Sequence, residues 1–524
     1  MTTVKRQTLG FDGREIYFRY AGNGPPVVLC HESPRSSAAL LPLMERLAPH
    51  FTVIGFDTPG FGGSDPLRMD HPSSADYADA LAMAMTGLGL KRTPVYGTHT
   101  GACIAMSLAV RHPDQVSVVI LDGYPIFTTA EKEELLRDYL PTFRPVWDGT
   151  HVAWLWARVR DQFTFFPWYA TSQSSRLPRD PPGLEFHQLI VEDFLRAGDD
   201  YRPAYASAFR FEAIKPLVAS AVPVAIMARE DDLLFPHLER LPDDLPSNVS
   251  VHRLSADRDV WGDAIGRLMA DHPGQGAFAH EAFPASLERP LQRGFVEVGD
   301  GLAHFRRAGQ GMGRPLVLLH RTPGWSAEFN DQIIRLGHTR HAIAIDLPGN
   351  GESDCCADMS LEGLLNWLEE TLAKLDINAC DLAGEHTGAA IAGAFAARGS
   401  IDIGRLVMAQ APENNIEPVC PDMIPRWDGG HLMAAWYWAR DGLLYRNWNA
   451  RRARASWDLE TDSPILSLHA RFVGAVLGAK GNAALCTAAL SAPPGLHLDT
   501  AARHGTEIDN TDRPLAAYPL DGSW

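Results

Sequence analysis

One feature constrains this chain more than any other: its motifs occur twice, in the same order. Tyr17–Gly22 (YFRYAG) runs into Val27–Pro34 (VVLCHESP), and His304–Gly309 (HFRRAG) runs into Leu316–Pro323 (LVLLHRTP). Asp57–Asp65 (DTPGFGGSD) is answered by Asp346–Asp354 (DLPGNGESD), and Gly97–Gly101 (GTHTG) by Gly384–Gly388 (GEHTG). The offset between counterparts is nearly constant, and its small drift belongs to loops of unequal length. A chain of 524 residues that repeats itself in this way reads as two domains of one design. Each is long enough to close its own core. Between them, His272–Ala277 (HPGQGA) and Phe283–Pro290 (FPASLERP) form a Gly/Pro-punctuated stretch. The expected organisation is therefore a first domain over 1–271, a linker over 272–292 and a second domain over 293–524.

Within each half, short apolar runs such as Pro26–Cys30, Thr52–Phe56 and Val118–Leu121 alternate with helical patterns such as Ala75–Leu88 and Ile104–Arg111. Continuous apolar strands alternating with helices predict an α/β fold whose mostly parallel sheet is flanked by helices. Gly97–Gly101 follows an apolar strand and opens a small-residue helix. That is the layout of a tight strand-to-helix turn in which glycines admit the close approach and the middle residue is raised above the helix N-terminus. Together with the strand ending in His31-Glu32 and with Asp57–Asp65, each half resembles the α/β-hydrolase superfamily, in its epoxide-hydrolase and haloalkane-dehalogenase-like branch. The resemblance covers residues 10–270 and 295–490. It implies a tandem α/β-hydrolase fold with helical caps near 125–215 and 412–490. The second copy is expected to be C-terminally shortened, because Ser491–Trp524 shows no pair of apolar strands.

The departure from the family lies at the centre of the turn. The resemblance implies Ser, Asp or Cys there as nucleophile; this chain has His99, and again His386. An ester intermediate on a serine or carboxylate is unavailable at that atom. An imidazole raised at this point suits a general base towards water or a substrate proton. The positive end of the following helix is expected to lower its pKa and keep it neutral. The family's acid would follow the strand Val222–Ala228, where spacing from Ala228 favours Asp231 over Asp232. The family's histidine is missing: Ser255–Trp261 (SADRDVW) places Arg258 or Asp257 at its position. Backbone N–H groups at Thr100 and in the His31-Glu32 loop are the expected oxyanion donors. His320 and Thr387 are their counterparts in the second half, which is expected to be structural, lid-like or completed by a partner.

The cap segment repeats as well. Trp147, His151, Trp156 and Arg160 recur as Trp427, His431, Trp436 and Arg440. On a helix Trp156 and Arg160 share a face, whereas His151 lies opposite Arg160, so the set is not one stripe and some members must pack. The remainder would line a dry pocket, with an arginine to hold a carboxylate or enolate oxygen. The repeated histidines lack metal-ligand spacing, and no metal or cofactor is expected.

Composition narrows the classes. A formal charge of −17 without long blocks argues against nucleic acid or an anionic membrane as partner. No apolar run reaches the roughly 18 residues of a spanning helix. Seven cysteines in no paired pattern and an N-terminus without an apolar signal segment suit a cytoplasmic protein. The sequence thus points to a cofactor-independent enzyme, possible as a homo-oligomer, that acts on a small hydrophobic carbonyl or ester-like compound by hydrolysis, or by C–C cleavage, lyase or cyclase chemistry. The competing reading is a catalytically inactive small-molecule binding or scaffold protein. Turnover tied to the elbow histidine separates the two.

Overall fold

The computed structural model describes residues 3–279, 289–310, 313–409, 421–444, 464–492 and 507–511, with 515 and 520. They divide into two compact units, one of Met1–Arg144 with Ala157–Ser286 and one of Pro145–Trp156 with Leu287–Trp524. The segment Pro145–Trp156 thus groups with the second unit, although the sequence puts it in the cap of the first domain.

The first unit is built on an eight-stranded sheet: β1 (Lys5–Phe11), β2 (Arg14–Ala21), β3 (Pro26–Cys30), β4 (Thr52–Phe56), β5 (Thr93–Thr98), β6 (Val116–Asp122), β7 (Val224–Arg229) and β8 (Val249–Leu254), in the order β1-β2-β4-β3-β5-β6-β7-β8. The β1–β2 hairpin is antiparallel and turns on Asp12-Gly13, both at positive φ, the Asp-Gly chemistry that such a two-residue turn selects. From β4 onward the pairing is parallel. Strands β3, β4 and β6 are buried at every residue, which is why they read as unbroken apolar runs. The helix Thr100–Arg111 is apolar nearly all round because it lies inside the unit against β5, β6 and the helix Ser74–Gly87.

The second unit holds a seven-stranded sheet: β9 (Gln292–Val298), β10 (Gly301–Ala308), β11 (Leu316–Leu319), β12 (Ala342–Ile345), β13 (Ala379–Glu385), β14 (Asp402–Ala409) and β15 (Glu507–Thr511), in the order β15-β14-β13-β11-β12-β10-β9. Strand for strand this is the order of β7 back to β1. The expectation that the last strands are missing needs correction: β15 pairs in parallel with β14, and only a counterpart of β8 is absent among the described residues. No single helix among the described residues is long and apolar enough to cross a membrane.

The repeated Asp-x-Pro-Gly-x-Gly-x-Ser-Asp motif is a loop brace. Asp57 accepts backbone N–H groups from Ser37 at 2.7 Å and Gly63 at 2.8 Å, and Ser64 bridges Asp57 O and Tyr17 N. Asp346 does the same for Ser326 and Glu352, with His304 Nδ1 added at 2.7 Å. A charge so completely enclosed persists because each of its carboxylate oxygens meets a donor.

Candidate active site

The turn after β5 forms because of its glycines. A Cβ on Gly97 would stand 2.3 Å from Gly101 O, and one on Gly101 would stand 2.4 Å from Cys30 O. Glycines in these places let the strand turn directly into the helix, and the residue between them takes the strain: His99 has φ 47° and ψ −110°. Gly384, His386 (φ 53°, ψ −117°) and Gly388 repeat this after β13.

His99 meets a carboxylate from the end of β7. Its Nε2 lies 3.0 Å and 3.1 Å from the two carboxylate oxygens of Asp232, which also accepts the Leu234 N–H at 2.7 Å. The imidazole lies against Gly123, where an added Cβ would come within 2.3 Å of His99 Cδ2. The expected acid is thereby corrected by one residue. The turn closed by Asp232 N–H on Arg229 O sends Asp231 outward to Arg229 at 2.9 Å and brings Asp232 back towards the elbow. Behind the dyad, Asp122 accepts hydrogen bonds from Tyr96 OH and Trp261 Nε1, each at 2.7 Å.

The electrostatics reverse the expected protonation of His99. Burial alone would lower its pKa, but Asp232, with Glu32 and Asp122 beyond it, outweighs burial and raises it to about 9. The reciprocal effect overcomes burial at Asp232, which is held down at about 2. With its pKa raised in this way, His99 is an imidazolium at neutral pH. Burial pushes the Asp122 carboxyl upward, against its two hydrogen bonds.

The second elbow is different in kind. Among the described residues no carboxylate reaches His386; Glu385 beside it pairs instead with Arg321. Burial first, then Arg321 and Arg471, drive the His386 pKa down to about 3, so this imidazole is neutral. The Thr387 hydroxyl is buried without a hydrogen-bond partner.

Other expected site residues do structural work. His31 Nε2 accepts the Thr58 N–H at 2.9 Å while Nδ1 donates to Glu32 O at 2.9 Å, and His320 makes the same two bonds with Leu347 and Arg321. Both ring nitrogens are thus consumed in shaping the loop, so neither histidine faces substrate with a free nitrogen. Glu32 lies 3.8 Å from Arg35, and the Thr100 hydroxyl accepts the Ser33 N–H at 3.2 Å. Arg258 is exposed at the start of the helix Arg258–Asp271, whose N-cap is Asp257.

The repeated cap motif packs against its own counterpart within the second unit. Trp156 Nε1 donates to Trp427 O at 2.9 Å, and Trp436 Nε1 donates to Trp147 O at 3.2 Å. His151 stacks edge-on to Trp436 with centroids 4.5 Å apart, and His431 does so to Trp156 at 5.0 Å. Gly149 at φ 81° faces Trp436 Cδ1, 2.6 Å from an added Cβ, and Gly429 at φ 69° faces Trp156 Cδ1 at 2.7 Å. Trp156, Trp436, His151 and His431 are buried core, whereas Trp147 is half-buried and Trp427 and Arg160 are exposed. Gly149→Ala is expected to cost about 2 kcal/mol, from positive φ and contact with the indole together. A shift in the urea unfolding midpoint at unchanged slope checks this.

Burial holds His151, His431 and His469 in the neutral form, each with its pKa lowered to about 4. Unfolded, they would take up protons near the ordinary value of about 6.5. Their contribution is therefore complete above about 6.5 and is lost as pH falls towards 4. Urea unfolding at pH 7, 5.5 and 4.5 is expected to show a falling midpoint. His431→Gln is expected to flatten that fall.

Among the described residues no cluster of three or more His, Cys, Asp or Glu side chains is placed to hold a metal ion. Residues 25–255 match the family model for the alpha/beta hydrolase fold. Haloalkane dehalogenase 2 of Mycobacterium tuberculosis is 25% identical over 250 residues, 47% of this chain and 73% of that protein. The 2-(acetamidomethylene)succinate hydrolase of Mesorhizobium japonicum is 34% identical over 118 residues, 22% of this chain and 42% of that protein. Among solved structures, epoxide hydrolase VrEH1 from Vigna radiata matches 51% of this chain and 98% of its own at 12% identity, with a TM-score of 0.41. With its parallel sheet, glycine-flanked elbow and carboxylate after β7, the first unit carries the alpha/beta hydrolase fold that residues 25–255 match.

Proposed function

We propose that the first unit is a cofactor-independent hydrolase for a small hydrophobic carbonyl or ester-like substrate, with the His99–Asp232 dyad as its proton-transfer centre. The contact between His99 Nε2 and Asp232 at 3.0 Å carries this reading. With Nε2–H committed to the carboxylate, Nδ1 is the nitrogen left for chemistry. In its unprotonated form Nδ1 takes a proton from water while the water oxygen bonds to the substrate carbonyl carbon. The N-terminus of the helix Thr100–Arg111 favours the oxyanion so formed. When the carbon–leaving-group bond breaks, Nδ1 returns the proton to the leaving group. No covalent enzyme ester is formed, since a histidine stands where the superfamily's nucleophile would.

The same base is suited to C–C cleavage, lyase or cyclase steps that begin with removal of a substrate proton. A panel of esters, lactones, thioesters, epoxides and β-diketones separates these chemistries by product. We also read the chain as a tandem duplication, supported by the matching strand orders of the two sheets. In that reading the second unit is non-catalytic, because its elbow histidine has no acid. Absence of turnover across the panel, with ligand-induced thermal stabilisation, would instead support a binding protein.

A further inference from the structure

Arg158, in the last turn of the helix Thr150–Asp161, is only 1% exposed. Its guanidinium carbon lies 4.8 Å from the ring centre of Phe194, 5.1 Å from Trp168 and 5.6 Å from Tyr139. Nη1 donates to Gln162 Oε1 at 2.5 Å. Nε and Nη2 are buried without a hydrogen-bond partner, and no carboxylate among the described residues pairs with this cation. Ring faces return part of what a buried cation loses on leaving water. The cost of removing a guanidinium from water is larger, and the two idle donors add to it. A water molecule would satisfy the donors but not the charge.

Nε and Nη2 form one edge of the guanidinium, the fork that meets a carboxylate with two parallel hydrogen bonds. We infer that Arg158 is the carboxylate-binding residue of a subsite in the first unit, and that its ligand is a small organic acid with an apolar body that fits the aromatic cage. A run of packed rings leads from the cage to the turn after Asp232. Tyr139 touches Phe209 at 5.3 Å, Phe209 touches Phe127 at 5.8 Å, and Phe127 touches His237 at 5.1 Å. His237 belongs to the turn that follows Asp232. In the repeat, Arg160 corresponds to Arg440 but Arg158 corresponds to Trp438, so this cation has no counterpart at the matching position of the second half. This deepens the hydrolase reading and rests on it for the substrate: a compound with a free carboxylate at one end and a cleavable carbonyl at the other.

The test is binding, measured first in the His99→Ala protein so that turnover is not required. Benzoate, phenylacetate and hexanoate are compared with their primary amides by thermal shift and calorimetry. The acids are expected to stabilise the protein and the amides not. Arg158→Met is expected to raise the melting temperature of the ligand-free protein and weaken acid binding about tenfold or more. Arg158→Lys, which keeps the charge but not the fork and so guards against a folding failure, is expected to weaken it less. Equal response to acids and amides, or acid binding that survives in both variants, overturns the subsite. Acid binding without hydrolysis of any ester by wild type would sink the hydrolase reading and leave the subsite standing. Hydrolysis with no preference for carboxylate-bearing esters, unchanged in Arg158→Lys, would do the reverse.

Discussion

His99→Ala is expected to reduce turnover about 10²- to 10⁴-fold, the range a positioned proton-transfer group supplies, while His386→Ala leaves it within about twofold. The asymmetry follows from surroundings, not from backbone. Both histidines occupy the same strained position, φ 47° and 53°. Of the two, among the described residues, His99 alone has a carboxylate on Nε2 and is raised towards pKa 9; His386 is pressed down to about 3 between burial and two arginines. An imidazole that takes up no second proton until about pH 3, and that no carboxylate among the described residues supports, is too weak a base to be a good transfer agent. Steady-state kinetics on the best substrate of the panel decide the matter. Loss only in His386→Ala would reverse the assignment of roles, and equal activity in all three proteins would remove the elbow histidines from the chemistry.

The second large effect is on pH. With His99 near 9, the base form is scarce at neutrality, and kcat/KM is expected to climb about tenfold per unit between pH 6 and 8. The rate at pH 7 would then be about one-hundredth of the plateau reached above 9. Asp232→Asn removes the largest influence that raises the pKa, so its rising limb is expected to move to lower pH while the plateau falls. A profile that falls with rising pH would make the imidazolium the working form and His99 a general acid. Stability runs the other way. The folded pKa of His99 lies above its unfolded value and that of Asp232 below its own, so the pair's contribution is complete between about 4 and 6.5 and fades as pH rises through 9. The conditions of fastest turnover are therefore those in which the dyad stabilises the fold least.

Much of this was legible in the sequence because it rests on local necessity. Two glycines around a raised residue, and an aspartate ahead of Pro-Gly-x-Gly, specify their own loops wherever they occur. What the sequence did not reveal is set by residues distant along the chain. The choice of Asp232 over Asp231 depends on how one turn directs neighbouring side chains. The protonation of His99 depends on carboxylates delivered by β3, β6 and β7 together. Strand β15 escaped notice because Glu507–Thr511 is short and polar, with no apolar run to announce it. The spacing of the Trp-His cap motif shows that some members pack but not which, because it serves equally to line a pocket or to pack against a second copy. Arg158 gives no signal in a comparison of the halves, since its counterpart is a tryptophan.

The seating of Trp436 on Gly149 and of Trp156 on Gly429 ties the histories of the two motifs together. Each indole is the wall that forbids a side chain on the other copy's glycine, so neither copy is free to drift alone. Relatives that preserve this packing should exchange or lose the four residues as a set. A chain cut in the 272–292 segment would separate every one of these pairs, leaving an orphaned tryptophan on one fragment for each vacant glycine on the other.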